Sequence, residues 1–407
     1  MMRVMNALRI FIPFALGYFL SYLLRVVNAV IAPDLITDLG INAADLGLLT
    51  SVSFLSFASF QVPLGMLLDR YGPRWTEAVL LLFAALGAML FALGEGLPDL
   101  IIGRALIGLG TSACLMAAFK AYVSWFEQDR IPMINGFQMM AGGMGALAGT
   151  VPVEMALEVT DWRGVYYGFA IIAIVISVIL VVVVPKHKTQ SGGHNNFREQ
   201  LNGVKTVFSS PYFWRIAPIT FASQSGFLAI QSLWSGPWLM DVAGYSRPEV
   251  AETLFLVAAS MVAGFFSLGV ISARLGRFGI SPMNVGLSGM IVFITIQGLI
   301  TSGIGVSPVI LWMVFGFFGT SGILPYASLT RGFPLILSGR VVTSINLLVF
   351  VGAFLAQWGM GWIINFWPNS GGDGYSETGY QVAFFVMIVI QLIGLIWYFV
   401  YQKGQAD

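Results

Sequence analysis

Gly65 to Arg74 read GMLLDRYGPR, and Gly269 to Phe278 read GVISARLGRF. Gly65, Arg70 and Gly72 of the first stretch recur as Gly269, Arg274 and Gly276 of the second, at identical spacing. Each stretch lies between two long apolar runs. A second pair agrees in order: Gly110-Thr111-Ser112 followed by Arg130 and Asn135, then Gly319-Thr320-Ser321 followed by Arg340 and Asn346. Two motifs recurring in the same order mark a duplicated chain. Membrane transporters are commonly built this way, with the substrate at the repeat interface.

Composition sets the class. Of 407 residues, 57% are hydrophobic and 10% charged, against about 25% charged in soluble domains. That much apolar side chain cannot be hidden inside a soluble protein of this length. The net charge of +1 gives no basis for nucleic-acid binding. One cysteine, Cys114, excludes a disulfide framework and a multi-cysteine metal site. The two histidines, His187 and His194, share one polar stretch, so a histidine-built catalytic centre is not expected. No Ser/His/Asp set or phosphate loop occurs, so the chain is not read as an enzyme, and no cofactor is expected.

Spans of roughly 20 apolar residues are needed to cross a bilayer. The sequence predicts twelve, near 8–31, 46–68, 76–95, 99–124, 132–156, 165–184, 213–239, 251–273, 281–302, 308–330, 342–366 and 379–401. The first apolar run is too long for a signal peptide and lacks a small-residue cleavage site before Asp34, so it is read as a retained helix. The expected architecture is all-α: a six-helix bundle over 1–185, a polar linker over 186–212, and a second six-helix bundle over 213–407. With the N-terminus cytoplasmic, 15 of the 20 Lys and Arg fall on the inside and only Arg163 and Arg247 outside. Both termini are therefore expected in the cytoplasm. Arg25, Arg104 and Lys120 fall within spans.

GMLLDRYGPR resembles the signature loop between helices 2 and 3 of the major facilitator superfamily, G-x-L-x-D-R-x-G-R-R, with Pro73 in place of a basic residue. Arg104 and Gly108 resemble the R-x-x-x-G motif of its helix 4. The resemblance covers the whole chain and implies alternating access between two bundles. It also implies that Asp69, beside Arg70 and Arg74, latches the outward-facing state through the cytoplasmic end of helix 11, here near Arg340 to Asn346. In the second copy Ala273 stands in place of that aspartate, which weakens any matching latch. Gly142, Gly145, Gly149 and Pro152 in span 5 lack the internal proline and paired glycines of the superfamily's drug antiporters, and read as packing glycines.

Charges inside the membrane are the sharpest signal, because each is costly without water, a partner or a substrate. Tyr18, Tyr22 and Arg25 fall at i, i+4 and i+7, one stripe of a helix. YLLRVVNAVIAPDL resembles helix 1 of the superfamily's anion-transporting branches, the anion:cation symporters and organophosphate exchangers among them. There a matching arginine grips a carboxylate or phosphate, groups that guanidinium pairs with bidentately. The alternative for Arg25 is a bond to backbone carbonyls or a nearby Asp. Lys120 lies sixteen residues from Arg104, about 160° around a helix, so the two do not share a face. Arg104 is assigned to helix packing. Lys120 is either a second anion contact or a side chain reaching the interface. Arg130 belongs with Arg70 and Arg74 among the gating candidates.

Gln224, Phe227, Gln231 and Trp234 fall within roughly an 80° arc of span 7, either a cavity wall or interhelical glue. Tyr326, Asn346, Gln357 and Trp358 are further candidates of the same kind. Glu154, near the outer end of span 5, is the acid placed inside a span and the candidate for proton coupling. Glu77 and Glu95 are read as interfacial ends of span 3.

The sequence thus predicts a multi-pass protein of the cell inner membrane, functional as a monomer. It would move a small organic anion by alternating access, with a proton as candidate coupling ion. The alternative is an exporter of amphipathic or cationic compounds. Such a pocket should be acid-lined, and these spans hold cations instead.

Overall fold

The computed structural model describes residues 2–127, 130–185, 197–303, 306–334, 337–368 and 374–403. The linker residues Lys186, His187, Lys188 and His194 lie outside them. The chain forms two compact units, Met1–Gly40 with Val52–Phe197, and Ile41–Ser51 with Arg198–Asp407.

The first nine helices are α1 (Met2–Val26), α2 (Asn28–Leu39), α3 (Ala43–Ser59), α4 (Gln61–Leu93), α5 (Leu97–Thr111), α6 (Cys114–Trp125), α7 (Ile131–Ala148), α8 (Val151–Leu157) and α9 (Trp162–Val183). After them come α10 (Phe197–Phe208), α11 (Pro211–Ala229), a π turn (Ile230–Trp234), α12 (Ser235–Asp241), α13 (Arg247–Gly276) and α14 (Pro282–Ser302). The chain continues through α15 (Pro308–Gly319), a 3₁₀ turn (Thr320–Ile323), α16 (Leu324–Arg331), α17 (Ser338–Ile364) and α18 (Glu377–Lys403). Among the described residues nine stretches are long and apolar enough to cross a bilayer, and Ala43–Ser59 is a shorter apolar helix. Their outer faces remain apolar, as with Ile171, Val175, Val178 and Val182 on α9, the surface a helix presents to lipid.

The expected spans 46–68, 132–156 and 213–239 are not single helices. They are interrupted at Phe60, at Gly149-Thr150 and by the π turn. Spans 1, 4 and 10 also break, at Val27, after Thr111 and at Thr320. The duplicated Gly-Thr-Ser explains two of these breaks. Thr111 and Ser112 hydroxyls donate to Ile107 and Leu109 carbonyls at 2.9 and 2.6 Å, and Thr320 to Phe317 at 2.7 Å. Such back-bonding bends helices.

The signature stretch is a kink rather than a loop. α4 runs through it, and only Gly72, at φ 75° and ψ 164°, leaves helical geometry, a conformation open essentially to glycine. Its repeat partner Gly276 stays helical, and the left-handed turn there falls on Gly279.

Within each unit the same crossing recurs. A Cβ on Gly108 would collide with the Ser53 carbonyl, and one on Gly316 with the Val257 carbonyl. The fourth span of each repeat thus packs backbone-close on the second, as small residues allow in lipid. In the second unit Gln297 of α14 and Gln391 of α18, both fully buried, exchange amide hydrogen bonds at 3.1 and 3.0 Å.

Candidate substrate site

Arg25 lies in the last turn of α1, immediately before the break at Val27. It is half-buried, its guanidinium carbon 4.7 Å from the centre of the Tyr22 ring and 5.7 Å from that of Phe57. Tyr22 meets Tyr18 edge-on at 5.2 Å, and the Tyr18 hydroxyl points at the Met139 sulfur 3.7 Å away. The predicted stripe of Tyr18, Tyr22 and Arg25 is therefore one contiguous surface, backed by α7 at Gly142.

Arg104 has no exposed surface. It donates to the Asn28 side-chain oxygen and to the Leu24 carbonyl at 3.4 Å, while stacking on Phe91 and Tyr166. Asn28 in turn donates to the Arg25 carbonyl at 3.1 Å. Arg104 thus ties down the break of α1 next to Arg25.

Lys120 forms an ion pair with Asp69, joining α6 to the signature stretch within one unit. The structure brings these two candidates together. Arg74 donates to the Val181 carbonyl of α9. Arg70 is exposed, and exposed Arg130 pairs with Glu127 at 3.2 Å. Glu154 is half-buried in α8.

In the second unit the π turn carries Gln231 and Trp234, both buried; π segments are frequent at functional sites. Trp234 Nε1 donates to the Gln357 carbonyl at 3.0 Å, Ser232 to Gln357 Oε1 at 3.2 Å, and Gln357 Nε2 to Thr50 Oγ1. Gln224 donates to the Gly319 carbonyl at 3.2 Å, at the break of span 10. Phe227 packs into a ring cluster with Phe293 and Phe315. Tyr326 donates to Asn346 at 2.9 Å, and Trp358 is 39% exposed.

Three polar residues were not legible as such. Gln138, fully buried, accepts from Tyr122 at 2.7 Å and donates to the Phe14 carbonyl at 3.1 Å, locking α7 and α6 to α1. Asp241 accepts from the Tyr380 hydroxyl at 2.6 Å and the Tyr375 amide at 3.1 Å. Burial, with Asp241 adding to it, pushes the Tyr375 phenol up to about 12. Glu77 requires a correction: it is not interfacial but fully buried on the core face of α4, with Leu81, Ala84, Ala88 and Phe91. The signal available was its place on that helical stripe.

Residues 14–357 match the family model of the Major Facilitator Superfamily. The chain belongs to that superfamily. It is accordingly a multi-pass membrane transporter and not an enzyme. It is similar, at 23% identity over 88% of this chain and 84% of the relative, to a probable nitrate/nitrite antiporter of Thermus thermophilus. Similarity at 25% identity extends to a glycerol-3-phosphate transporter of Bacillus subtilis, covering 68% of this chain and 67% of the relative. An uncharacterized transporter of the same bacterium matches at 25% identity over 67% of this chain and 74% of its own length. The major-facilitator fold is shared with a solved bacterial homolog of the human lysosomal transporter Spinster at TM-score 0.75 and 17% identity, covering 98% and 97% of the two chains.

Proposed function

We propose that this chain is a secondary transporter of a small organic anion, a carboxylate or a metabolite bearing a similar oxyanion group. It acts by alternating access in a cell inner membrane, with twelve crossings and cytoplasmic termini. The observation that carries the reading is Arg25. Among the cations within the spans of the first unit, Arg104 is shut in the core on the Leu24 carbonyl of α1 and the Asn28 side chain of α2. Arg25 keeps accessible surface beside two tyrosines at a helix break. The relatives' names, nitrate/nitrite and glycerol-3-phosphate, support the same sign of charge. Gln224, Gln231 and Gln357 of the second unit are the further polar candidates, and Trp234 and Tyr326 the aromatic ones.

Thermal unfolding of the purified protein in detergent tests this, with nitrate, glycerol 3-phosphate, mono- and dicarboxylates and lipophilic cations as probes. A ligand at 100 times its Kd stabilises by about 2.7 kcal/mol. One anion class should stabilise the wild type and not Arg25→Ala. Stabilisation by lipophilic cations alone would overturn the reading in favour of an exporter.

A further inference from the structure

Glu77 is a buried carboxyl for which the described residues supply no hydrogen-bond partner. It is 0% exposed, and neither carboxylate oxygen meets a hydrogen-bond donor among the described residues. The carboxyl enters the space left by the missing side chain of Gly17 on α1, where any Cβ would collide with Oε1, and Cys114 of α6 lines the same seat. The titratable groups facing it are the Cys114 thiol and the Tyr122 hydroxyl of α6. α1 presents Gly17, with Tyr18 and Arg25 further along. On α4 itself, Arg74 is turned to the Val181 carbonyl. The cation of α5, Arg104, and the phenol of α9, Tyr166, face each other and α1. Among the described residues no cation bonds the Glu77 carboxyl.

A lone carboxylate shut away from water is among the costliest groups a membrane protein can hold. A protonated carboxyl in the same seat costs far less. We propose that Glu77 is the proton-binding site that couples this transporter to a proton gradient; this rests on the anion-transport reading above. When the seat opens to water on the side rich in protons, the carboxylate takes up one proton and becomes the neutral acid. When it opens on the other side, that proton leaves and the carboxylate is restored. The device linking it to substrate is α1. The same helix covers Glu77 at Gly17 and carries Arg25 eight residues later, about 12 Å further along its axis. A displacement of α1 that closes Arg25 on an anion therefore also moves the lid of the carboxyl. Coupling of this kind needs one element that both sites bias, and α1 supplies it.

Infrared difference spectroscopy of the protein in lipid vesicles, titrated from mildly acid to mildly alkaline pH, tests the proton site directly. A protonated-carboxyl band that disappears with rising pH in the wild type and is missing from Glu77→Gln is expected. No titrating band assignable to Glu77 would overturn the proposal. Transport gives the second measurement, with nitrate and glycerol 3-phosphate as probes. Glu77→Gln should lose accumulation driven by an imposed proton gradient while keeping anion counterflow near the wild-type rate, because Glu77 does not hold the anion. Gradient-driven accumulation unchanged in Glu77→Gln would sink the proposal. If the wild type exchanges neither probe, the anion reading fails for those probes, and the infrared titration still decides Glu77. A variant that misfolds leaves the wild-type titration standing, compared then with Gly17→Ala, which should displace the carboxyl and shift the midpoint of its band.

Discussion

Arg104 reaches from α5 to the Leu24 carbonyl of α1 and to the Asn28 side chain at the start of α2, and Asn28 donates in turn to the Arg25 carbonyl. On the proposed reading of Arg25, Arg104 is thus a positioning residue for the anion contact. Arg104→Lys keeps the charge but loses the fork that reaches two acceptors. Buried hydrogen bonds to a charged group contribute about 1.5–3 kcal/mol, so a fall in unfolding temperature is expected. The same variant should show weaker stabilisation by whichever anion stabilises the wild type, which a side chain serving stability alone would leave unchanged. Asp69 and Lys120 make the opposite case. Their side chains are 44% and 32% exposed, and partly exposed pairs are worth about 0.2–1 kcal/mol. A thermal double-mutant cycle of Asp69→Asn with Lys120→Met should return a coupling in that range. A larger effect of Asp69→Asn on transport than on stability would assign the aspartate to gating.

At the scale of the helix, one repeated glycine has two fates. Gly72 holds the kink of α4 in a conformation that costs other residues about 1–3 kcal/mol. Gly276 is helical, with open space where a Cβ would stand. Gly72→Ala should destabilise by that amount, whereas Gly276→Ala should stabilise by about 0.5–1 kcal/mol, the helical penalty of glycine. Equal effects in unfolding measurements would show that the two copies share one geometry after all. The Gln297–Gln391 pair between α14 and α18 allows a non-additivity test. Either Gln→Leu change strands the other amide, at a cost averaging about 0.6 kcal/mol for such bonds and reaching about 1.7. The double variant should lose less than the sum of the singles.

Across the whole molecule, duplication and membrane class were legible because spacing and composition survive in one dimension. Gly65, Arg70 and Gly72 against Gly269, Arg274 and Gly276 suffice for the first, and the scarcity of charge for the second. The rotation of each helix was not legible. Lipid-facing and core-facing residues are both apolar: Val79, Leu82 and Phe83 look outward on α4 while Leu80, Leu81 and Ala84 look inward. No polar face marks the outside of such a helix. By pattern alone Glu77 therefore reads as interfacial although it belongs to the core, and nothing in the sequence signals the pairing of Lys120 with Asp69 across 51 residues of chain. The helix breaks were hidden for a related reason, since serine and threonine back-bonding leaves hydropathy unchanged. One short stretch of the N-terminal half groups elsewhere. Ile41–Ser51 packs with the second unit, where Gly47 lies against Gln357, Ala43 against Gly361, and Thr50 receives the Gln357 amide. Helix α3 is thus shared, its first part grouping with the second unit and residues 52–59 with the first. A gene interrupted within the linker would yield a C-terminal product lacking eleven residues of its own packing, encoded far upstream. Co-expressing the N-terminal product should rescue its membrane yield, and a version of that product carrying Gly47→Leu should not.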